Sequence, residues 1–125
     1  MARILLVEDD DFTAELLRMR LAEAGHEVFI SGDGLSAVTM ADQLKPALVV
    51  LDWALPAADG THVLKLLRQH APTSKTPVIM ISGEDRGRVM NGEAESPLLR
   101  FLQKPIDFQE LADLVGRLLA GSAAA

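Results

Sequence analysis

The sequence contains no cysteine, which excludes a disulfide framework, a thiolate zinc site and a cysteine nucleophile, and suits a reducing compartment. It has no apolar run near the roughly 20 residues that a membrane span requires. Its start, MARILLVEDDD, turns acidic too soon for a secretory signal. Basic residues are in deficit: 12 Lys and Arg against 18 Asp and Glu leave a net charge of −6. Nucleic acid and anionic membranes are therefore poor partners, and a cation or a basic surface is a better one. These absences predict a soluble cytoplasmic chain with no direct nucleic-acid contact and no membrane association.

What is present fits one compact domain: 125 residues, 49% of them hydrophobic, are enough for a workable core. Five short runs rich in Val, Ile and Leu recur at RILLV (3–7), EVFIS (27–31), ALVVLD (47–52), PVIMIS (77–82) and LLRFLQ (98–103). Each is short enough for a strand and too continuous for a sheet with one wet face. Between them lie segments of helical spacing, so the alternation predicts βαβ units, a parallel sheet and helices on both faces.

The helices are predicted over 11–24, 34–44, 60–70 and 107–120. The first carries Phe12, Leu16, Leu17, Met19, Leu21 and Ala24 mostly on one side, and Gly25 closes it where a left-handed residue is cheap. Lys45-Pro46 stops the second, and APTSKTP follows the third as a loop. In the last, Leu111, Leu114, Val115 and Leu118 repeat at i, i+3, i+4 and i+7, and residues 121–125 read as a flexible tail or the start of a linker after a domain of 1–120. Segment 83–97 holds three glycines and a proline around Val89 and Met90. Any helix there is expected to be short or loose.

In an open parallel sheet, ligands sit beyond the carboxyl ends of the strands. Glu8, Asp9, Asp10 and Asp11 follow the first run, Asp52 ends the third, Ser82-Gly83 the fourth and Lys104-Pro105 the fifth. Each residue alone has an ordinary explanation. Asp10 or Asp11 suits a helix cap, Asp52 a turn, Ser82 a backbone partner, and Lys104 a surface loop. Together they place carboxylates, a hydroxyl and an ammonium at one edge. Carboxylates from two strands repel unless a cation or proton intervenes, and an oxygen-only set suits Mg²⁺, with Mn²⁺ as its substitute. Asp52 is then placed to act as a carboxylate nucleophile toward phosphorus, with Ser82 and Lys104 on the phosphoryl oxygens.

Four pieces, ILLVEDD, LVVLDWALPAADG, PVIMISG and FLQKP, stand in an order and at separations that resemble the response-regulator receiver domains of bacterial two-component signalling. The resemblance runs end to end. It implies a doubly wound five-stranded parallel sheet, the (βα)₅ flavodoxin-like three-layer sandwich. It further implies that Asp52 is the phosphoacceptor, loaded from a phosphohistidine of a sensor histidine kinase or a histidine phosphotransfer protein. It makes Glu8, Asp9, Asp52 and the Ala54 backbone carbonyl the metal ligands, Ser82 the switching hydroxyl, Lys104 the lysine that pairs with the phosphoryl group and Phe101 the aromatic that reorients. Pro105 follows that lysine as a cis proline. Such a chain is a switch and not an enzyme, catalysing only its own phosphorylation and dephosphorylation. By the same resemblance, helix one with Phe12 receives the donor, while the fourth helix, fifth strand and fifth helix face an unknown downstream effector or form a phosphorylation-dependent dimer.

Two departures from the family pattern stand out: Pro97-Leu98 where small residues are usual, and Ala54, with no polar side chain beside the acceptor. A metal-dependent phosphatase would place a second acid where Ala54 lies. A degenerate receiver, acting as a phosphorylation-independent docking module, is the alternative that the irregular 83–97 segment keeps open. Trp53, directly after the nucleophile, is expected to lean over the site or pack under a loop. The histidines, His26, His62 and His70, are expected to be exposed or half-buried without a metal role.

Overall fold

A computed structural model describes residues 2–56, 59–90 and 94–124. Strand β1 (Arg3–Val7), helix α1 (Asp11–Glu23), β2 (Glu27–Ser31), α2 (Gly34–Leu44), β3 (Leu48–Asp52), α3 (Gly60–Gln69), β4 (Val78–Ser82), α4 (Arg86–Met90), β5 (Leu99–Gln103) and α5 (Phe108–Ala124) follow one another, with one 3₁₀ turn at Ala71–Thr73. The strands form a single parallel sheet in the order β2-β1-β3-β4-β5. The chain is therefore a doubly wound α/β sandwich of three layers, as its sequence predicts.

Side chains alternate across a strand, so each central strand feeds two cores. Ile4, Leu6, Leu48, Val50, Ile79 and Ile81 pack under α1 and α5, while Leu5, Val7, Val49, Leu51, Val78 and Met80 pack under α2, α3 and α4. α5 buries the predicted stripe of Leu111, Leu114, Val115 and Leu118. α1 departs from expectation: its buried residues are Ala14, Leu17 and Leu21, and Phe12 is 77% exposed, with Met19 and Ala24 also exposed. Apolar residues run more widely around the helix than one face, and only the i, i+3, i+7 set starting at the small Ala14 is buried. Phe12 is one residue into the helix, too early to reach it.

Helix starts are set by aspartates. Asp10, Asp33 and Asp59 cap α1, α2 and α3, accepting the amides of Thr13, Ser36 and His62. Lys45 takes a left-handed conformation at the end of α2 (φ 48°) and Gly25 another after α1 (φ 94°). In segment 83–97 the described residues form a helix at Arg86–Met90, and the part of the expectation that falls on 91–93 lies outside the described residues. α5 runs to Ala124, beyond the helix end at residue 120 expected from the sequence. Alanine's high helix propensity favours that continuation over Gly121. Among the described residues, no helix is long and apolar enough to cross a membrane.

Candidate functional site

The strand order reverses direction at β1: the chain moves outward to β2, then returns to lay β3 on the other side of β1. At such a point the connections leaving the two strands diverge and open a crevice at their carboxyl ends. Glu8 and Asp9 leave β1 at this point and Asp52 ends β3. Each offers a carboxylate oxygen, and the three oxygens lie within 4.8 Å of one another. Glu8 and Asp52 are buried, 2% and 3% exposed, whereas Asp9 faces solvent. Asp10 belongs to the helix, its carboxylate accepting the Thr13 amide at 2.9 Å.

Lys104 reaches in from the end of β5. Its Nζ lies 3.4 Å from Glu8 Oε1 and 3.5 Å from Asp52 Oδ2. The lysine is held by its backbone: its amide donates to Ser82 O at 2.7 Å, and the peptide bond to Pro105 is cis. One ammonium facing two buried carboxylates leaves a surplus of negative charge. The effect appears at Glu8, whose carboxyl is pushed up to about 7, first by burial and then by hydrogen bonding to and repulsion from Asp52, against the opposing pull of the Asp10 amide and Lys104. A small divalent cation would relieve that surplus, and an all-carboxylate oxygen set fits Mg²⁺ better than a soft metal.

Ser82, at the end of β4, is buried, and its hydroxyl accepts the Glu84 amide at 2.9 Å. The Ala54 amide donates to Asp52 Oδ1 at 3.3 Å, which orients the carboxylate. Phe101 sits on β5, half-buried against the core beneath α2, α3 and α4, at the register position of Met80.

The residue-matched profile of the family described as "response regulator receiver domain" covers residues 4–116. The chain belongs to that family. As a receiver domain it is similar to the protein PilH of Pseudomonas aeruginosa, at 31% identity over 97% of this chain and the whole of PilH. It is also similar to the DNA-binding dual master transcriptional regulator RpaA of Synechocystis, at 33% identity over 95% of this chain, of which it spans about half (49%). Among solved structures, the signal receiver domain of a signal transduction histidine kinase from Syntrophus aciditrophicus superposes with a TM-score of 0.86 at 29% identity, covering 97% of this chain and 92% of that one.

In this receiver domain the structure brings Glu8, Asp9, Asp52 and Lys104 together, sets Ser82 on the adjoining strand end, and places Phe101 on the edge strand. Neighbouring residues shape the site as well. Gly60 lets α3 start against β3: a Cβ there would lie 2.8 Å from the Trp53 Cα and 2.9 Å from the Asp52 carbonyl oxygen. Asp59-Gly60 after the proline was the available signal. Trp53 packs against the core on that face and donates from Nε1 to Thr61 Oγ1 at 3.1 Å, and Thr61 Oγ1 in turn lies 3.5 Å from the Val89 carbonyl of α4. Of the histidines, His62 is exposed, His26 is half-buried, and His70, also half-buried, pairs with Asp42 at 2.6 Å.

Proposed function

We propose that Asp52 accepts a phosphoryl group from a phosphohistidine, presented by a sensor histidine kinase or a histidine phosphotransfer protein. Glu8, Asp9, Asp52 and the Ala54 backbone carbonyl would hold Mg²⁺, or Mn²⁺ in its place. The observation that carries this reading is the convergence of three carboxylates within 4.8 Å, with one ammonium on two of them, at the sheet's reversal point. In the transfer, an Asp52 oxygen forms the O–P bond, the P–N bond to the donor imidazole breaks, and its electron pair leaves with that nitrogen. A bound divalent cation supplies neutralisation of the phosphoryl oxygens as charge spreads over them.

The chain's own groups do the positioning. The Ala54 amide holds the Asp52 carboxylate in orientation through Oδ1, which leaves Oδ2, the oxygen beside Lys104, as the attacking atom. Lys104 transfers its contact from the carboxylates to the incoming phosphoryl group. Ser82 exchanges the Glu84 amide for a phosphoryl oxygen, and Phe101 reorients as the face formed by α4, β5 and α5 adjusts. That face meets the downstream effector, or a second phosphorylated copy. Phe12, exposed at the start of α1 beside the acidic edge, would receive the phosphodonor protein.

Intact-mass spectrometry after incubation with Mg²⁺ and a small acyl phosphate tests the reading. One added phosphoryl group, lost without Mg²⁺ and lost in Asp52→Ala, is the expected result. No addition, together with Trp53 fluorescence that ignores Mg²⁺, would instead identify a phosphorylation-independent docking module.

A further inference from the structure

Of the five residues described for α4, Val89 and Met90 are buried, and Arg86, Gly87 and Arg88 face solvent. On that exposed side polar tethers add to the apolar contacts that keep an element in place. Glu95 supplies one. Its Oε2 accepts from Arg86 of α4 at 2.7 Å, and its Oε1 accepts the backbone amide of Phe101 at 2.8 Å and lies 3.6 Å from Arg100 Nε.

The Phe101 amide matters because β5 is an edge strand, paired on one side with β4 alone. Alternate amides of such a strand point outward and need partners. Leu99 exchanges two hydrogen bonds with Ser96, at 2.9 and 3.1 Å, so segment 94–97 folds back along this edge. Two residues on, the next outward amide is that of Phe101, and the Glu95 side chain takes it. One half-buried carboxylate therefore joins the α4 helix to the strand residue whose reorientation the proposed switch requires.

We infer that Glu95 is a positioning residue, a clasp that holds α4 on the β5 edge in the unphosphorylated protein and opens when Asp52 is phosphorylated. The inference rests on the phosphoacceptor reading of Asp52. Coupling between two sites is reciprocal at equilibrium: if a phosphoryl group on Asp52 favours the open arrangement, opening the clasp must tighten the binding of a phosphoryl group or its mimic at Asp52. A residue that only stabilised the loop would have no such effect on a carboxylate at the far end of β3.

The test compares the full chain with Glu95→Ala, Glu95→Gln and Arg86→Gln. Amide exchange at Phe101 is read by NMR without phosphodonor, the equilibrium affinity for beryllofluoride with Mg²⁺, a non-covalent mimic of the phosphoryl group, is read by titration, and mass gain with Mg²⁺ and acetyl phosphate is read separately. Glu95→Ala is expected to speed exchange at Phe101 and to raise the beryllofluoride affinity about two- to fivefold, the factor that losing a partly exposed ion pair implies. Glu95→Gln keeps an acceptor for the Phe101 amide and loses the charge, so it should fall between, as should Arg86→Gln, which removes the α4 arm alone. Unchanged exchange at Phe101 in Glu95→Ala overturns the clasp. Faster exchange with an unchanged beryllofluoride affinity overturns the coupling and leaves Glu95 a loop staple. If no protein gains mass, the phosphoacceptor reading itself has failed and the coupling falls with it, while the exchange data still show whether the clasp exists.

Discussion

Glu8 has its carboxyl pushed up to about 7 by burial and by Asp52 beside it. In the unfolded chain the same group ionises near the ordinary glutamate value of roughly 4.3. Between those two values the folded protein retains a proton that the unfolded chain has released, so stability falls as pH rises through this window. The metal-free protein is therefore expected to lose melting temperature between pH 5 and pH 8. Mg²⁺ at pH 8 should restore much of it, because an ion bound only by the folded state stabilises that state by mass action. Glu8→Gln should flatten the pH dependence and blunt the Mg²⁺ effect. A melting temperature in the metal-free wild type that rises over this range, with Glu8→Gln unchanged in slope, would show that Glu8 does not carry the surplus charge of the site.

At the scale of elements, the connection from α3 to β5 depends on one side chain. Arg68, in the last turn of α3, donates to the carbonyls of Thr73 and Thr76 in the loop before β4 and, at 2.6 Å, to that of Leu98 just ahead of β5. Removing it leaves several carbonyls without their charged donor, and hydrogen bonds to charged groups contribute about 1.5–3 kcal/mol each. Arg68→Met retains much of the stem and loses the guanidinium, and is expected to lower unfolding free energy by about 2 kcal/mol in urea titration. A loss within experimental error would mean that water replaces the guanidinium at no cost. Arg68 also marks what the sequence does and does not reveal. Strands are legible because each is a short apolar run, and the site because strand ends converge by topology: Asp52 and Lys104 are far apart in sequence but both terminate strands of one sheet. Arg68, Thr61 and Glu95 are not legible there because their partners are backbone atoms or side chains fixed only by tertiary packing, and the buried face of α1 is not legible because composition does not say which helical face meets the sheet.

Across the whole molecule, β1, β3 and β4 belong to both cores at once. Leu5 and Leu6 are neighbours in sequence, yet one packs beneath α2, α3 and α4 and the other beneath α1 and α5. Neither core can dissolve without exposing one face of the same three strands, so the two are expected to unfold together. Leu17 on α1 and Leu67 on α3 are each 1% exposed and lie in opposite cores. Leu17→Ala and Leu67→Ala should each cost about 2–5 kcal/mol. Trp53 sits on the Leu67 side and is the chain's one tryptophan, so its fluorescence reports one core while far-UV circular dichroism reports all helices. For both variants the two signals should share a single urea midpoint. If Leu17→Ala instead separated them, with ellipticity lost while Trp53 kept its native emission, the α1 and α5 layer would be able to melt from a sheet still held by α2 and α3. The carboxylate edge, which draws Glu8 from the end of β1 and Lys104 from the end of β5, would then rest on the α2 and α3 side alone.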